Sequence, residues 1–396
     1  MADPKIFDSI KQYHDDLTQI RQDIHTYPEL GFQEVRTSQV VADYLEKLGY
    51  AVTRGIGKTG LVGTLVGRQN TSGRTIGLRA DMDALPIHEA GNLSYKSRHD
   101  GVMHACGHDG HTTVLMGAAR YLAETRDFDG TVHLIFQPAE EGQGGAQAMI
   151  DDGLFDRFHC DAIFGLHNSP DLTPGVIGVR PGPAMSAADR FDITVKGKGG
   201  HGAHAYQTLD PVVAASQLVV ALQTIVSRNV PALESAVVTV AAMQAGNLAA
   251  KNVIPNNAQL CGTVRTFSED MQERVITRMT EICNGIAAMF NVEVELDYQK
   301  GFPATVNTPE YATLVAEVAT ELFGAENVRP NFYPSMGSED FACMLKVRPG
   351  AYFRLGQGGA EDGRTLHNST YNFNDSVIPY GSAMFCGIVE KFLPLK

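Results

Sequence analysis

The sequence predicts an α/β fold interrupted by an inserted α+β module, and three observations carry that prediction. Short apolar runs alternate with helical ones over residues 1–184, which is the grammar of a sheet with helices on its faces. From about Met185 the order becomes β-α-β-β-α-β, complete by residue 299, the signature of a ferredoxin-like unit. From residue 300 helix and strand patterns resume. Residues 1–184 plus 300–396 are therefore expected to form one domain, with 185–299 inserted in it.

Taken in order, Ile10, Leu17, Ile20 and Ile24 mark a helical period that a turn ends at Pro28. A helix fits Arg36 to Leu48, with Gly49 as its C-cap. TIGLRAD (Thr75 to Asp81), TVHLIFQ (Thr131 to Gln137) and DAIFGLH (Asp161 to His167) read as buried strands, and His111 to Glu124 as a helix. In the insertion, RFDITVKGKG alternates at period two and puts Phe191, Ile193 and Val195 on one face. A helix over Asp210 to Arg228, strands Ser235 to Met243 and Ala258 to Phe267, a helix Glu269 to Phe290 and a strand Val292 to Tyr298 complete it. A helix Pro309 to Phe323 and a strand Gly350 to Gly356 follow.

With 43% hydrophobic and 19% charged residues, the 396-residue chain is globular in composition. Its formal charge of -13 repels phosphate backbones and anionic lipid, so nucleic acid and membranes are not expected partners. The opening residues carry acids and no apolar core, unlike a secretory signal. Apolar runs such as Gln217 to Val226 fall short of the roughly 20 residues that span a bilayer. These features predict a soluble, cytoplasmic protein. Six scattered cysteines form no CxxC pair and no disulfide scaffold. Five are expected to be plain buried thiols, and Cys106 stands apart because of its neighbours.

Those neighbours are MHACGHDGH, Met103 to His111. In an extended segment Cys106 and His108 share a face, and thiolate with imidazole suits borderline metals. The plainer alternative is a buried thiol beside a loop histidine. Other segments bear on the choice. Glu140 and Glu141 follow TVHLIFQ, His167 ends a second strand, His367 follows a third, and Asp81 and Asp83 end TIGLRAD. Ligand sites in open α/β sheets gather at such carboxyl ends. Adjacent side chains diverge when extended, so one of Glu140 and Glu141 can bind metal while the other takes a proton from water. GKGGHGAH holds His201 and His204 on a glycine-rich hairpin. Asn252 and Arg265, on or beside adjacent strands, offer the amide and guanidinium that a free α-carboxylate accepts. In GSEDF, Ser338 followed by Glu339 and Asp340 reads as an N-cap with acids in the first helical turn.

RADMDALP, HACGHDGH, QPAEEG, GLH, GKGGHGAH, NVIP, MGSEDF and LHN occur in this order over essentially the whole chain. Together they resemble the metal-dependent aminoacylase/carboxypeptidase family, in the branch of hippurate hydrolases, N-acyl-L-amino-acid amidohydrolases and auxin-conjugate hydrolases. The resemblance implies a zinc-peptidase-like catalytic domain, an inserted domain acting as lid and dimerisation module, and two divalent ions per subunit (Zn, Mn, Co or Ni). It implies metal ligands at Cys106, His108, Glu141, His167 and His367, with Cys106 bridging, and Glu140 as general acid/base. The wider superfamily has a histidine ligand where this chain has Asp81, so Asp83 is expected to orient the site and not to bind metal. His104, Asp109 and His111 are expected behind the ligands or at the helix start.

The same resemblance implies that His201 reaches the partner subunit's site in a homodimer and polarises the scissile carbonyl. Ala205 stands where relatives commonly carry proline. Ser338 and Glu339 are implied beside the substrate. The implied reaction hydrolyses a small-molecule N-acyl-L-amino acid, hippurate-like or N-acetylated, to a carboxylate and a free amino acid. A dipeptidase or carboxypeptidase, or an N-acetyl-diaminopimelate deacetylase, uses the same machinery. A non-catalytic metal or amino-acid binding protein is the alternative of another class, and the presence of both Glu140 and Glu141 argues against it.

Overall fold

The computed structural model describes residues 5–396. The chain divides into two compact units. One runs to Ala184 and takes in Val306–Tyr333 and Asp340–Lys396; the other is Met185–Thr305 with Pro334–Glu339. The second unit thus ends later than residue 299 because its last strand, Glu293–Phe302, resumes pairing beyond an irregularity, with Phe302 opposite Ala188. The polar residues Gln299 and Lys300 hide that extension from a hydropathy pattern.

In the first unit eight strands form one mixed sheet, in the order 51–56, 60–66, 131–137, 75–81, 162–169, 350–356, 177–178, 328–329. The four strands 131–137, 75–81, 162–169 and 350–356 run parallel. Parallel strands are covered on both faces, which is why they read as continuous apolar runs. Helix His108–Thr125 packs against helices Ile378–Phe392 and His14–Thr26. The opening helical period resolves into two helices, Lys5–Lys11 and His14–Thr26, with Ile10 and Leu17 both buried. The expected helix Arg36 to Leu48 is Val35–Lys47.

His133, in the strand Thr131–Gln137, is 7% exposed and its Nδ1 meets Thr64 Oγ1 at 2.9 Å. Burial, with help from His159, pushes its pKa down to about 4. The folded state therefore disfavours the proton. This contribution to stability is complete above the unfolded value near 6.5 and is lost as pH falls towards 4. From pH 7 to pH 5 the parent is expected to lose about 2 kcal/mol more than His133→Asn does. Paired denaturant titrations check this, and equal losses would refute it.

In the second unit four strands lie in the order 236–245, 257–266, 187–196, 293–302, antiparallel throughout. With helices Pro211–Thr224 and Glu269–Phe290, this is the ferredoxin-like order the sequence predicts. Phe191, Ile193 and Val195 pack with Leu218, Leu222 and Met279 in one core. Ser268 Oγ accepts from Met271 N and caps the second helix. The first helix is α-helical only to Thr224 and ends in a π turn, Ile225–Asn229. Pro211–Asn229 is long and apolar enough to cross a membrane by length and composition, but its face with Ala214, Ala215, Leu218 and Leu222 lies in this core. Cys160, Cys283 and Cys386 are buried as expected, whereas Cys261, on a strand, is exposed and Cys343 half-buried.

Candidate metal centre

Gly107 caps the helix His108–Thr125 with φ at 96°. A Cβ there would lie 2.5 Å from Tyr371 Oη and 2.8 Å from Asn168 Oδ1, so both the conformation and the space require glycine. The tight turn makes His108 the first helical residue, with Cys106 just before it. The two were expected to share a face of an extended segment. They converge by this turn instead.

Asp83 organises the ligand side of the site. Its Oδ1 lies 3.0 Å from His108 Nδ1, and its Oδ2 accepts from Glu141 N at 2.9 Å. With Nδ1 engaged, His108 Nε2 is buried without a hydrogen-bond partner. Glu140 Oε2 and Glu141 Oε1 each lie 4.0 Å from it. The two carboxylates therefore converge, where an extended chain would splay them, because both sit in a turn. Cys106 Sγ is 3.3 Å from His167 Nε2, and the other ring nitrogen of His167 is 2.7 Å from Asn168 O. His367 Nε2 stands 3.2 Å from Glu141 Oε1.

Three sets of donor atoms each fall within 4.8 Å: Cys106, His108, His167; Cys106, Glu141, His367; and His108, Glu140, Glu141. The structure thus brings together all five residues implied as ligands, with Cys106 common to two groups. Burial, and then Glu141, push the Cys106 thiol up. Burial, and then His111 and Arg354, hold His167 well below its ordinary value and so neutral. One thiol, three imidazoles and two carboxylates with an orphaned His108 Nε2 fit divalent cations such as Zn, Mn, Co or Ni. Such ions take this donor set and relieve its crowded negative charge. The backbone is strained at two places here, Ala139 at φ 52° beside Glu140 and His367 at φ 60°.

Asp81, His108 and His111 also lie together, but His111 commits Nδ1 to Asp81 and Nε2 to Asn168, both at 2.6 Å. Both of its ring nitrogens are thus engaged by neighbouring side chains. Asp81 Oδ2 accepts from Arg79 Nη1 at 2.7 Å. Burial disfavours the Asp81 charge, yet His108, Arg79 and His111 outweigh it and hold the carboxyl well below its usual range. Asp109 is held by His25 Nδ1 at 2.8 Å and Arg21 Nη1 at 3.3 Å. Burial pulls His25 down, but its bonds to Asp109 and Glu89 raise it to about 9. His104 is fully buried, and burial lowers it to about 4.

The remaining predicted residues belong to the second unit. His201 is exposed, and its Nδ1 accepts from Ala203 N at 3.1 Å. Asn252 O accepts from Gly202 N at 2.7 Å, because Gly200–His201 pairs with Val253–Ile254. Asn252 therefore neighbours His201. Arg265 lies on the next strand, Asn257–Thr266, in the four-stranded sheet, and bonds Thr263 Oγ1. Ser338 is half-buried and Glu339 buried. Ser338 is no N-cap, since the helix begins at Phe341 and Asp340 occupies the cap position without capping. Its carboxylate is turned to Gln137, Ala146 and Arg79. Sequence reasoning missed Arg21, His25 and Arg79. An arginine in the middle of the apolar run TIGLRAD was the one signal for the last.

A family model described as peptidase family M20/M25/M40 matches residues 77–391. The chain belongs to that family. A hippurate hydrolase of Campylobacter jejuni is 45% identical over 374 residues, 94% of this chain and 96% of that one. An N-acetylcysteine deacetylase of Bacillus subtilis is 39% identical over 377 residues, 95% and 96% of the two chains. The crystal structure of a Bacillus subtilis protein, described as a dinuclear metal-binding peptidase of family M20, matches with TM-score 0.85 at 36% identity. That match covers 97% of this chain and 99% of the other.

Proposed function

We propose that this chain is a metal-dependent amidohydrolase that cleaves the amide bond of N-acyl-L-amino acids to a carboxylate and a free amino acid. The observation that carries the reading is the pair of donor groups sharing Cys106, with the Glu140 carboxylate beside them. Hippurate hydrolase and N-acetylcysteine deacetylase, as relatives over nearly the full length, support the substrate class. Cys106, His108, Glu141, His167 and His367 would hold two divalent ions, Zn, Mn, Co or Ni, and the relative described as dinuclear supports the number two. Bound there, such ions supply Lewis acidity that polarises a carbonyl and acidifies nearby water.

Glu140 takes a proton from the attacking water and returns it to the leaving nitrogen. Asp83 fixes His108 through Nδ1, so that Nε2 faces the site. In a homodimer formed through the second unit, His201 of the partner subunit donates a hydrogen bond to the carbonyl oxygen. Asn252 and Arg265 bind the substrate α-carboxylate, and Ser338 and Glu339 line its approach. The charge of -13 favours a small-molecule substrate over nucleic acid or a membrane surface. Six free thiols fit a cytoplasmic setting.

The test is amino-acid release from benzoyl-glycine, N-acetyl-methionine and a dipeptide by protein reloaded with Mn or Zn. Faster release from the acylated substrates supports the reading. A preference for the dipeptide moves it to a peptidase, and binding without turnover moves it to a binding protein. Cys106→Ala, which removes a donor common to two groups, is expected to bind at least one ion fewer per chain by elemental analysis. A full metal complement in that variant would exclude Cys106 as a shared ligand.

A further inference from the structure

Asp340 lies in a motif that the reaction outlined above leaves largely without a task, and it is fully buried. Its carboxylate holds both ends of the loop that bears Glu140 and Glu141. Gln137 Nε2, where the strand Thr131–Gln137 ends, donates to Oδ1 at 2.7 Å. Ala146 N, where the helix Gly145–Asp151 begins, donates to Oδ2 at 2.9 Å. The backbone N–H of Asp340 itself points at Glu140 Oε1, 3.4 Å away.

The neck of the loop is narrow. Gly145 N donates to Ala139 O at 3.0 Å, and a Cβ on Gly145 would lie 1.6 Å from Pro138 O. Arg79 braces the clasp from below, with Nε on Gln137 Oε1 at 2.8 Å and Nη2 on Asp340 Oδ1 at 3.3 Å. Arg79, Gln137 and Asp340 are all 0% exposed. Water cannot replace these bonds, so each lost bond leaves a buried polar group unpaired and the clasp has one favourable arrangement. A side chain that fixes both ends of a short loop, and whose own N–H meets the carboxylate at its centre, sets where that carboxylate points.

We propose that Asp340, braced by Arg79, is a positioning residue that aims the Glu140 carboxylate. This rests on Glu140 being the acid/base of the proposed reaction. The first variant is Asp340→Asn in the full chain. Its amide has one acceptor oxygen where the carboxylate has two, so either Gln137 or Ala146 loses its partner.

Three results are expected. The kcat falls about 10- to 100-fold, the scale on which a small misplacement of a reacting group is felt, while KM and bound metal stay within about twofold. Hydrogen exchange over residues 138–146 rises several-fold in the metal-free protein. In the Glu140→Gln background, Asp340→Asn costs little more, because the two act through one group.

A kcat within twofold of the parent, unchanged exchange over 138–146, or an equal further loss in the Glu140→Gln background would each overturn the positioning role. Where Asp340→Asn melts too low to assay, Gln137→Met is read instead. It removes the bonds of Gln137 to Asp340 and to Arg79 while leaving the carboxylate of Asp340 intact, and is held to the same split between kcat and KM. A parent that releases no amino acid overturns the reading of function and this role with it. An active parent whose Asp340→Asn variant keeps its kcat overturns the role alone.

Discussion

Glu140→Gln is expected to lower kcat by about 10²–10⁴-fold, the usual worth of a positioned general acid/base, with bound metal unchanged. Glutamine keeps the length of glutamate, and its carbonyl oxygen can still accept from Asp340 N, which lies 3.4 Å from Glu140 Oε1. What it loses is the capacity to take and return a proton. Steady-state kinetics with elemental analysis on the same sample decide the matter. A variant keeping more than about a tenth of the parent kcat at full metal load would remove Glu140 from the reaction. Glu141→Gln makes the contrast, because Glu141 shares a donor group with Cys106 and His367. There the metal content should fall together with the rate.

Arg79→Met is expected to destabilise the metal-free protein by about 3–5 kcal/mol, the penalty for removing one partner of a buried charge cluster. Arg79 is fully buried, 2.7 Å from Asp81 Oδ2 and 3.3 Å from Asp340 Oδ1. Methionine fills much of the volume but leaves the buried carboxylates of Asp81 and Asp340 without the guanidinium they share. The expected loss is a large part of the total stability of an ordinary domain. Urea unfolding, read as a shift in midpoint, measures it. Arg54→Ala is the control, since Arg54 pairs with Glu46 at the surface and such pairs contribute below about 1 kcal/mol. Equal shifts in the two variants would refute the central place given to Arg79.

The fold was legible where one force dominates a segment. The strands Thr75–Asp81 and Thr131–Gln137 are buried on both faces, so each reads as a mainly apolar run, broken only by Arg79 and His133 inside it, with the bounds that the sequence predicts. The helix Glu269–Phe290 has an apolar stripe and a serine before it, and both ends were readable. The donor residues of the candidate centre were legible because thiol, imidazole and carboxylate at strand ends are chemically unusual. Their local geometry was not. The start of the helix at His108 depends on Gly107 entering the left-handed region against Tyr371 and Asn168, contacts made across the fold. The same holds for Asp340. Propensity favours a cap at Ser338, but the buried partners Gln137 and Ala146 claim the acid two residues on. Sequence spacing does not announce charges that pair with residues 200 or more positions away, as Asp340 does with Gln137.

The strand Gly350–Gly356 pairs with 162–169 and 177–178, and the loop beyond it brings His367 to Cys106 and Glu141. Synthesis delivers these parts at very different times. The set Cys106, His108 and His167 is in hand before the second unit is made, while the set that needs His367 waits for nearly the whole chain. A chain made as far as the second unit therefore holds two of the three donor sets and lacks only the one that needs His367.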